Sequence, residues 1–449
     1  MSHHHTPDHE TEHAPGYGAP SGWSPEQARR IERTPETTAP IVYPADEDDG
    51  SGLHIWDTWF LRTRDGSIAT IDGWRVIFSL TAPADLLPGK RHDVARIRYF
   101  YSRDGHDWHC GGTLFEEGTA FGSRQWAGSA LYDDGTVYCF YTAAGSREGP
   151  LSYHQRLAVG AGGSVETDET GLDILGPFDH QIMLEADGDR YETEAQSRGM
   201  IYTFRDPWFF EDPETGATHL LFEANTPVPE DADCCNGDPT RQEFNGSIGL
   251  ATSPTGDPTQ WQFEDPLIDA VCVNQELERP HLIVRDGRYY LFISSHRHTF
   301  EPGLDGFDAL YGFVAESLRG PYRPLNDSGL VLTNPAAAAY QTYSWLAYPH
   351  REEILVSSFL NYYNLEGLSI DEVGNLPPEA QFERFGGTLA PTVRLTLDGD
   401  RTAVRGTLDH GHLPTPEEDL PPTLRGRLTD ADQKGAGSYG QTGRADSSD

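Results

Sequence analysis

From about Asp57 to Phe359 the chain repeats one pattern: an apolar run, a tight Asp/Gly turn, a second apolar run, then a long polar connection. The first runs begin at residues 57, 129, 206, 280 and 344, spacings of 72, 77, 74 and 64 residues. Each unit reads as a strand pair, because Val, Ile, Phe, Tyr, Trp and Thr dominate the runs and Asp-Gly or similar dipeptides divide them. Strand pairs recurring at a fixed period, with room between them for outer strands, predict four-stranded sheets arranged around an axis. The expected fold is therefore all-β, a five-bladed β-propeller over residues 23–413. Ahead of it, Ser24-Pro25-Glu26-Gln27 carries the signals of a helix start, with Ser as N-cap and Pro at the first position, and predicts a short helix to about Arg33. Residues 1–22 and 414–449, polar and rich in Pro, Gly and acids, are expected to be disordered tails.

Composition adds a strong electrostatic signal. The 449 residues hold 33 Lys+Arg against 71 Asp+Glu, a formal charge of −38, and Lys90 and Lys434 are the only lysines. Nucleic acid and anionic membranes need a basic footprint, so the charge argues against both, and neither is expected as a partner. A surface crowded with carboxylates repels itself unless salt screens it, as in proteins of salt-loving organisms. No run approaches the roughly 18 apolar residues that span a bilayer, and the first residues lack the apolar core of a secretory signal. The expectation is a monomer that reaches the extracellular space by another route. Five cysteines form no C-x-x-C pair. Cys139 and Cys272 read as core residues, Cys234-Cys235 lies in an acidic loop and could be bridged elsewhere, and no zinc site is expected.

Candidate chemistry starts in Leu53-His54-Ile55-Trp56-Asp57-Thr58-Trp59, which sets a carboxylate between two indoles. Strict strand alternation would place Asp57 on one face with Ile55 and Trp59. A carboxylate on an apolar face must be paired, hydrogen-bonded or protonated. A structural Asp at a strand end would satisfy that alone, but the first strand of each blade lines the central channel, so acids that start successive repeats converge. The third repeat opens with Arg205-Asp206-Pro207 and the fourth with Glu276-Leu277-Glu278-Arg279-Pro280. Two carboxyl groups about 5 to 5.5 Å apart are what a retaining glycosidase uses, one as nucleophile and one as acid/base. Glu276 and Glu278 share a strand face, so each disfavours ionisation of the other, which suits a protonated donor.

With these motifs, together with Trp126-Ala127-Gly128-Ser129, Phe222-Glu223-Ala224-Asn225-Thr226 and Ser295-His296-Arg297, the sequence resembles the fructansucrases, the levansucrases and inulosucrases. The resemblance runs from about Trp23 to His412. It implies cleavage of sucrose and transfer of the fructosyl unit to a growing fructan, with sucrose and fructan acceptors as partners. By position, Asp57 resembles the nucleophile, Asp206 the transition-state stabiliser and Glu278 the acid/base. Trp56, Trp126, Ala127, Arg205 and Glu276 match sucrose-binding positions. His296 matches a position tied to acceptor handling, and Tyr343 one that orients the nucleophile network. Relatives that bind calcium carry an Asp just before the Glu-x-Glu-Arg motif. Here that residue is Gln275, a weaker ligand for a hard cation, so neither a metal nor another cofactor is expected.

The expected product is a β-2,6 levan, with β-2,1 inulin as the alternative linkage. An invertase-like hydrolase is a further alternative, although the Asn-Asp-Pro-Asn motif usual near its nucleophile is missing. A carbohydrate-binding propeller without activity would keep the aromatics but not need all three acids.

The charge yields the first prediction. The thermal unfolding midpoint should rise between about 0.1 M and about 3 M potassium chloride, where the Debye length shrinks from about 10 Å to below 3 Å. A flat midpoint in differential scanning fluorimetry would contradict it.

Overall fold

The computed structural model describes residues 21–45, 51–148, 150–232 and 234–415. Five antiparallel blades follow one another along the chain. Blade I comprises Leu53–Arg62, Arg75–Pro83, Arg96–Ser102 and His109–Thr113. Blade II comprises Arg124–Asp133, Thr136–Ala144, Gln155–Thr167 and Asp179–Leu184; blade III, Phe204–Glu211, Thr218–Asn225, Gly246–Thr252 and Gln262–Asp269. Blade IV comprises Glu278–Arg285, Arg288–Ser295, Ala309–Ala315 and Leu330–Thr333, and blade V, Thr342–His350, Glu353–Tyr362, Pro391–Asp398 and Arg401–His410. The five expected starts fall in the five innermost strands, so the propeller reading holds.

Among the described residues no strand is exchanged between blades I and V. Their contact is made by packing, with Phe60 against Tyr348 (4.7 Å between ring centroids) and His54 against Phe385 (4.9 Å). The segment before blade I adds a belt. Ser21 and Gly22, expected to end a disordered tail, instead pair in parallel with Ile268 and Asp269 of blade III. Trp23 is buried among Phe300, Tyr311 and Phe313 of blade IV and donates its Nε1–H to the Ser328 carbonyl (3.1 Å). Gln341 of the blade IV to V connection then holds the chain at both Pro40 O and Val42 N. The helix is only Pro25–Ala28, shorter than expected, with the Ser24/Gln27 capping box in place. Beyond the C-cap Arg29 the chain leaves the helix, and Arg33 Nε donates to the Asn334 carbonyl (2.9 Å). Two further short helices, Ile370–Gly374 and Pro378–Phe382, were not foreseen. The rest of both expected tails lies outside the described residues, except Pro414 and Thr415.

Cys272 is a second correction. It is bonded to Cys235 and not a free core thiol, because its turn, at φ +66°, lies beside the loop that carries Cys235. Cys139 is buried and free as expected.

What positions the site is a defect shared by every innermost strand. In each blade one extra residue is inserted relative to the neighbouring strand, at 56–59, 126–128, 205–208, 278–281 and 343–346. Such a bulge breaks strand alternation and turns a side chain along the strand. The strict alternation expected at Asp57 therefore fails. In four blades the inserted residue is left-handed: Asp57 (φ 50°), Asp206 (59°), Arg279 (51°) and Ser344 (59°). A non-glycine residue held there costs of order 1–3 kcal/mol, so its surroundings must over-determine it. In blade II the unpaired residue is Ala127, which is not left-handed, and the Gly128 beside it packs so closely that a Cβ there would meet the Phe140 carbonyl oxygen at 2.0 Å.

Candidate active site

The bulges aim Asp57, Asp206 and Glu278 toward one another at the channel mouth. Two of them feel their neighbours: Glu278 and Asp57 both raise Asp206, and Glu278 raises Asp57. Arg205 stands among them. Its Nε donates to Glu223 Oε2 (2.7 Å), and its Nη2 to Glu276 Oε1 (2.7 Å) and Glu278 Oε1 (3.2 Å). Burial alone would lower the Arg205 pKa, but Glu223, Glu276 and Glu278 outweigh it and push it well above the usual value. The cation is thus permanent. Glu276 and Glu278 were expected on one strand face, but the strand begins only at Glu278; what brings the two together is Arg205, whose Nη2 bonds both.

Burial is the main force on Asp57 and raises it, opposed by Arg279, by a hydrogen bond from Ser344 and by Arg91. Asp206 is pushed up to about 7, again chiefly by burial, against the pull of Arg205 and Arg279. Asp206 Oδ2 accepts the Arg279 peptide N–H (3.0 Å), and its own N–H donates to Thr142 Oγ1 (2.9 Å), which bonds the Ala127 carbonyl (3.0 Å). Ala127 thereby reaches Asp206 only through Thr142.

Tyr343 departs from its expected task. Its hydroxyl hydrogen-bonds Glu278 Oε2 and not Asp57, because Tyr343 precedes the inserted residue and Ser344 takes the place facing Asp57. His296 stacks on Tyr343 with centroids 3.7 Å apart and planes 10° off parallel, and its Nε2 lies 3.9 Å from Glu278 Oε2. Its Nδ1 is held by Asp308 Oδ2 at 3.2 Å. Burial would lower His296, but Asp308 raises it to about 9, so the ring carries charge at neutral pH.

Trp56 is fully buried and Trp126 half-buried, and both pack edge-on against His92 (5.4 and 6.4 Å). The Trp126 Nε1–H donates to the His92 carbonyl (3.1 Å). His92 and its neighbour Arg91, on the 3₁₀ turn Pro88–Asp93 between the second and third strands of blade I, were not singled out from the sequence. Nothing in their local pattern marks them, since a short polar loop reads as a connection. Glu223, Arg279, Ser344 and Asp308 were also missed as site residues, although the first two lay inside recognised motifs. Gln275 turns its amide nitrogen to the Ile201 carbonyl (3.0 Å), and nearby Glu301 is paired with Arg241 (3.0 Å).

A half-buried acid that can attack, a second acid beside a bound tyrosine and a third held by a peptide N–H form the equipment of double displacement at an anomeric carbon. The levansucrase/invertase family model matches residues 14–414. The chain belongs to the levansucrase/invertase family. It is a retaining fructosyltransferase that acts on sucrose. Levansucrase LscA of Pseudomonas savastanoi pv. glycinea is 36% identical over 427 residues, 88% of this chain and 97% of that one. An extracellular sucrase of Zymomonas mobilis subsp. mobilis is 35% identical over 423 residues, 88% of this chain and 95% of that protein. Among solved structures, an inulosucrase from Halalkalicoccus jeotgali bound to kestose is 67% identical, with a TM-score of 0.88 over 90% of this chain and 99% of that one. A β-fructofuranosidase from Microbacterium saccharophilum K-1 is 30% identical with a TM-score of 0.77, covering 88% of this chain and 86% of its own.

His296 generates the second prediction. A histidine whose folded pKa lies above its unfolded value of about 6.5 contributes stability that is fully present below that value and lost as pH rises through about 9. The stability difference between the protein and His296→Asn in urea unfolding should therefore shrink from pH 6 to pH 10, both measured at high salt. A difference independent of pH would show that His296 is not charged in the folded state.

Proposed function

We propose that Asp57 is the nucleophile, Glu278 the acid/base and Asp206 the group that holds fructosyl hydroxyls as charge develops. The observation that carries this is the convergence of three innermost-strand carboxylates around Arg205. In the first step an Asp57 oxygen bonds the anomeric carbon of the fructosyl unit while its bond to the glucosyl oxygen breaks, and Glu278 gives that oxygen its proton. In the second, an acceptor hydroxyl loses its proton to Glu278, bonds the same carbon and displaces Asp57. Tyr343 and the charged His296 flank Glu278, so they influence both its proton transfers and the approach of the acceptor. Arg205, Glu276, Trp56 and Trp126 line the sugar space, with Ala127 behind it. Trp56 Nε1 and Glu276 Oε2 are buried without a partner among the described residues, and a sugar's hydroxyls supply what such groups require.

The linkage belongs to the same reading. Identity of 67% to the inulosucrase, against 36% to the levansucrase, supports β-2,1 bonds in the product. The levansucrase relatives support the β-2,6 alternative. Export to the extracellular space is part of the proposal, supported by the name of the Zymomonas relative.

Replacement separates the roles. Asp57→Asn should lower both glucose release and transfer by at least about three orders of magnitude, since neither product forms without the covalent intermediate. Asp206→Asn should lower kcat by orders of magnitude with KM little changed, as its contacts strengthen in the transition state. Glu278→Gln should be nearly inactive on sucrose but recover its first step with a fructosyl donor whose leaving group needs no proton. Wild-type turnover in Asp57→Asn would refute the assignment. Carbon-13 NMR of the polymer made from sucrose should show β-2,1 linkages, and a β-2,6 spectrum would make levan the product.

A further inference from the structure

Arg279 is buried, and its hydrogen bonds run to the backbone and side chains around the carboxylates. Its peptide N–H donates to Asp206 Oδ2 (3.0 Å). Its guanidinium donates to Ser344 O (2.9 Å) and Oγ (2.6 Å), and to Thr58 O (2.6 Å). One residue of blade IV thus ties blades III, V and I, each at its inserted or adjacent residue. Thr58 follows Asp57 directly, and the Ser344 hydroxyl bonds the Asp57 carboxyl. The chemistry of a hydroxyl gives this arrangement a direction. Ser344 Oγ already accepts from a guanidinium, which is never deprotonated, so its single O–H is left to donate.

We propose that Arg279 and Ser344 form a positioning relay: the guanidinium orients the Ser344 hydroxyl onto Asp57, while the Arg279 peptide N–H fixes Asp206, so one residue sets how the two carboxylates face each other. Neither touches the sugar. The relay explains why four strained backbone conformations recur at these bulges: Arg279 holds Asp206 and Ser344 directly and Asp57 through Thr58 and Ser344. It rests on the role given to Asp57 above and adds what keeps that carboxylate aimed and ionised.

The groups facing Asp57 are Glu278 and Arg279 from blade IV, Asp206 from blade III, Ser344 from blade V and Arg91 from its own blade. Of these, Ser344 is the one whose removal takes away a hydrogen bond without changing charge. A bond to the ionised form favours that form, so its loss raises the pH at which Asp57 ionises.

The test compares Ser344→Ala, Ser344→Gly and Arg279→Lys at high salt, with sucrose as substrate and released glucose as the readout. The acid limb of the kcat/KM profile should move to higher pH by about half a unit to one unit in both serine variants, and kcat should fall about 10- to 100-fold with KM within a factor of about two. Ser344→Gly relieves the left-handed backbone that Ser344→Ala retains, so a shift common to both identifies the missing hydroxyl and not strain. Arg279→Lys should show the larger kcat loss, and if it does not fold the serine pair decides alone. An unchanged acid limb and kcat in folded Ser344→Ala and Ser344→Gly, with only a lower melting temperature, would overturn the relay and leave Arg279 a blade staple. Asp57→Asn, run alongside, separates the cases: if it is active the nucleophile is misassigned, and if it is dead while the serine variants are normal the relay alone fails.

Discussion

The site depends on one cation. Gathering Glu223, Glu276, Glu278, Asp206 and Asp57 at the mouth of a channel would be prohibitive without compensation, because buried like charges suppress each other's ionisation and carry a desolvation cost. Arg205 supplies it by forming ion pairs with three of the five at once. Its planar fork allows this, where a lysine ammonium would offer a single compact point of charge. Removing one partner of such a network leaves uncompensated charge behind, so the acids and Arg205 stand or fall together. The pairing also leaves the acids unequal: Arg205 bonds Glu276 and Glu278 directly, Asp206 feels Arg205 and then Arg279, and Asp57 answers mainly to Arg279.

The same preference for guanidinium runs through the interior of a chain with only two lysines. Arg62 lies 3.6 Å over the Trp208 ring and donates to the Phe209 carbonyl, joining blade I to blade III beneath the site. Arg124 packs against Trp126 and Tyr153 on the rim. Arginine stacks on aromatic faces and is less strongly hydrated than lysine, so it can be buried at such joints. Surface and interior thus follow different rules: carboxylates in excess outside, where salt screens them, and a few arginines inside, given a ring or a carbonyl or, for Arg205, three carboxylates.

The period of the repeats was legible because five copies of one strand pair must each expose the same apolar faces to stack around an axis. The candidate acids stood out for the same reason, since Asp57 and Asp206 sit at equivalent places in those copies and Glu278 one position before the equivalent Arg279. The bulges were not. An inserted residue is visible only against its partner strand, and nothing in Trp56-Asp57-Thr58-Trp59 alone distinguishes a bulge from plain alternation. The partnership of Tyr343 with Glu278 spans 65 residues and two blades, and the positions on either side of an insertion point in directions that spacing does not reveal. Cys272 was read as apolar core because its neighbours are Ala and Val, yet a turn brought it to Cys235.

A division of labour follows from where these groups sit. In the proposed roles the carboxylates act on the anomeric carbon of the fructosyl unit and treat every incoming hydroxyl alike, because Glu278 needs only a proton to remove. Selection among water and the different hydroxyls of a growing chain must come from groups that fix the acceptor's angle before it reaches that carbon. We propose for that task the charged His296 stacked on Tyr343, and the wall in which Trp126 leans on His92 and Tyr153, with Tyr153 bonded to Asp93. His92, Asp93, Tyr153 and His296 stand on connections between strands, which can change without disturbing the bulges that carry Trp126 and Tyr343. Relatives that share one cleavage apparatus can therefore make different linkages, and the motif that identifies the reaction is silent about its product.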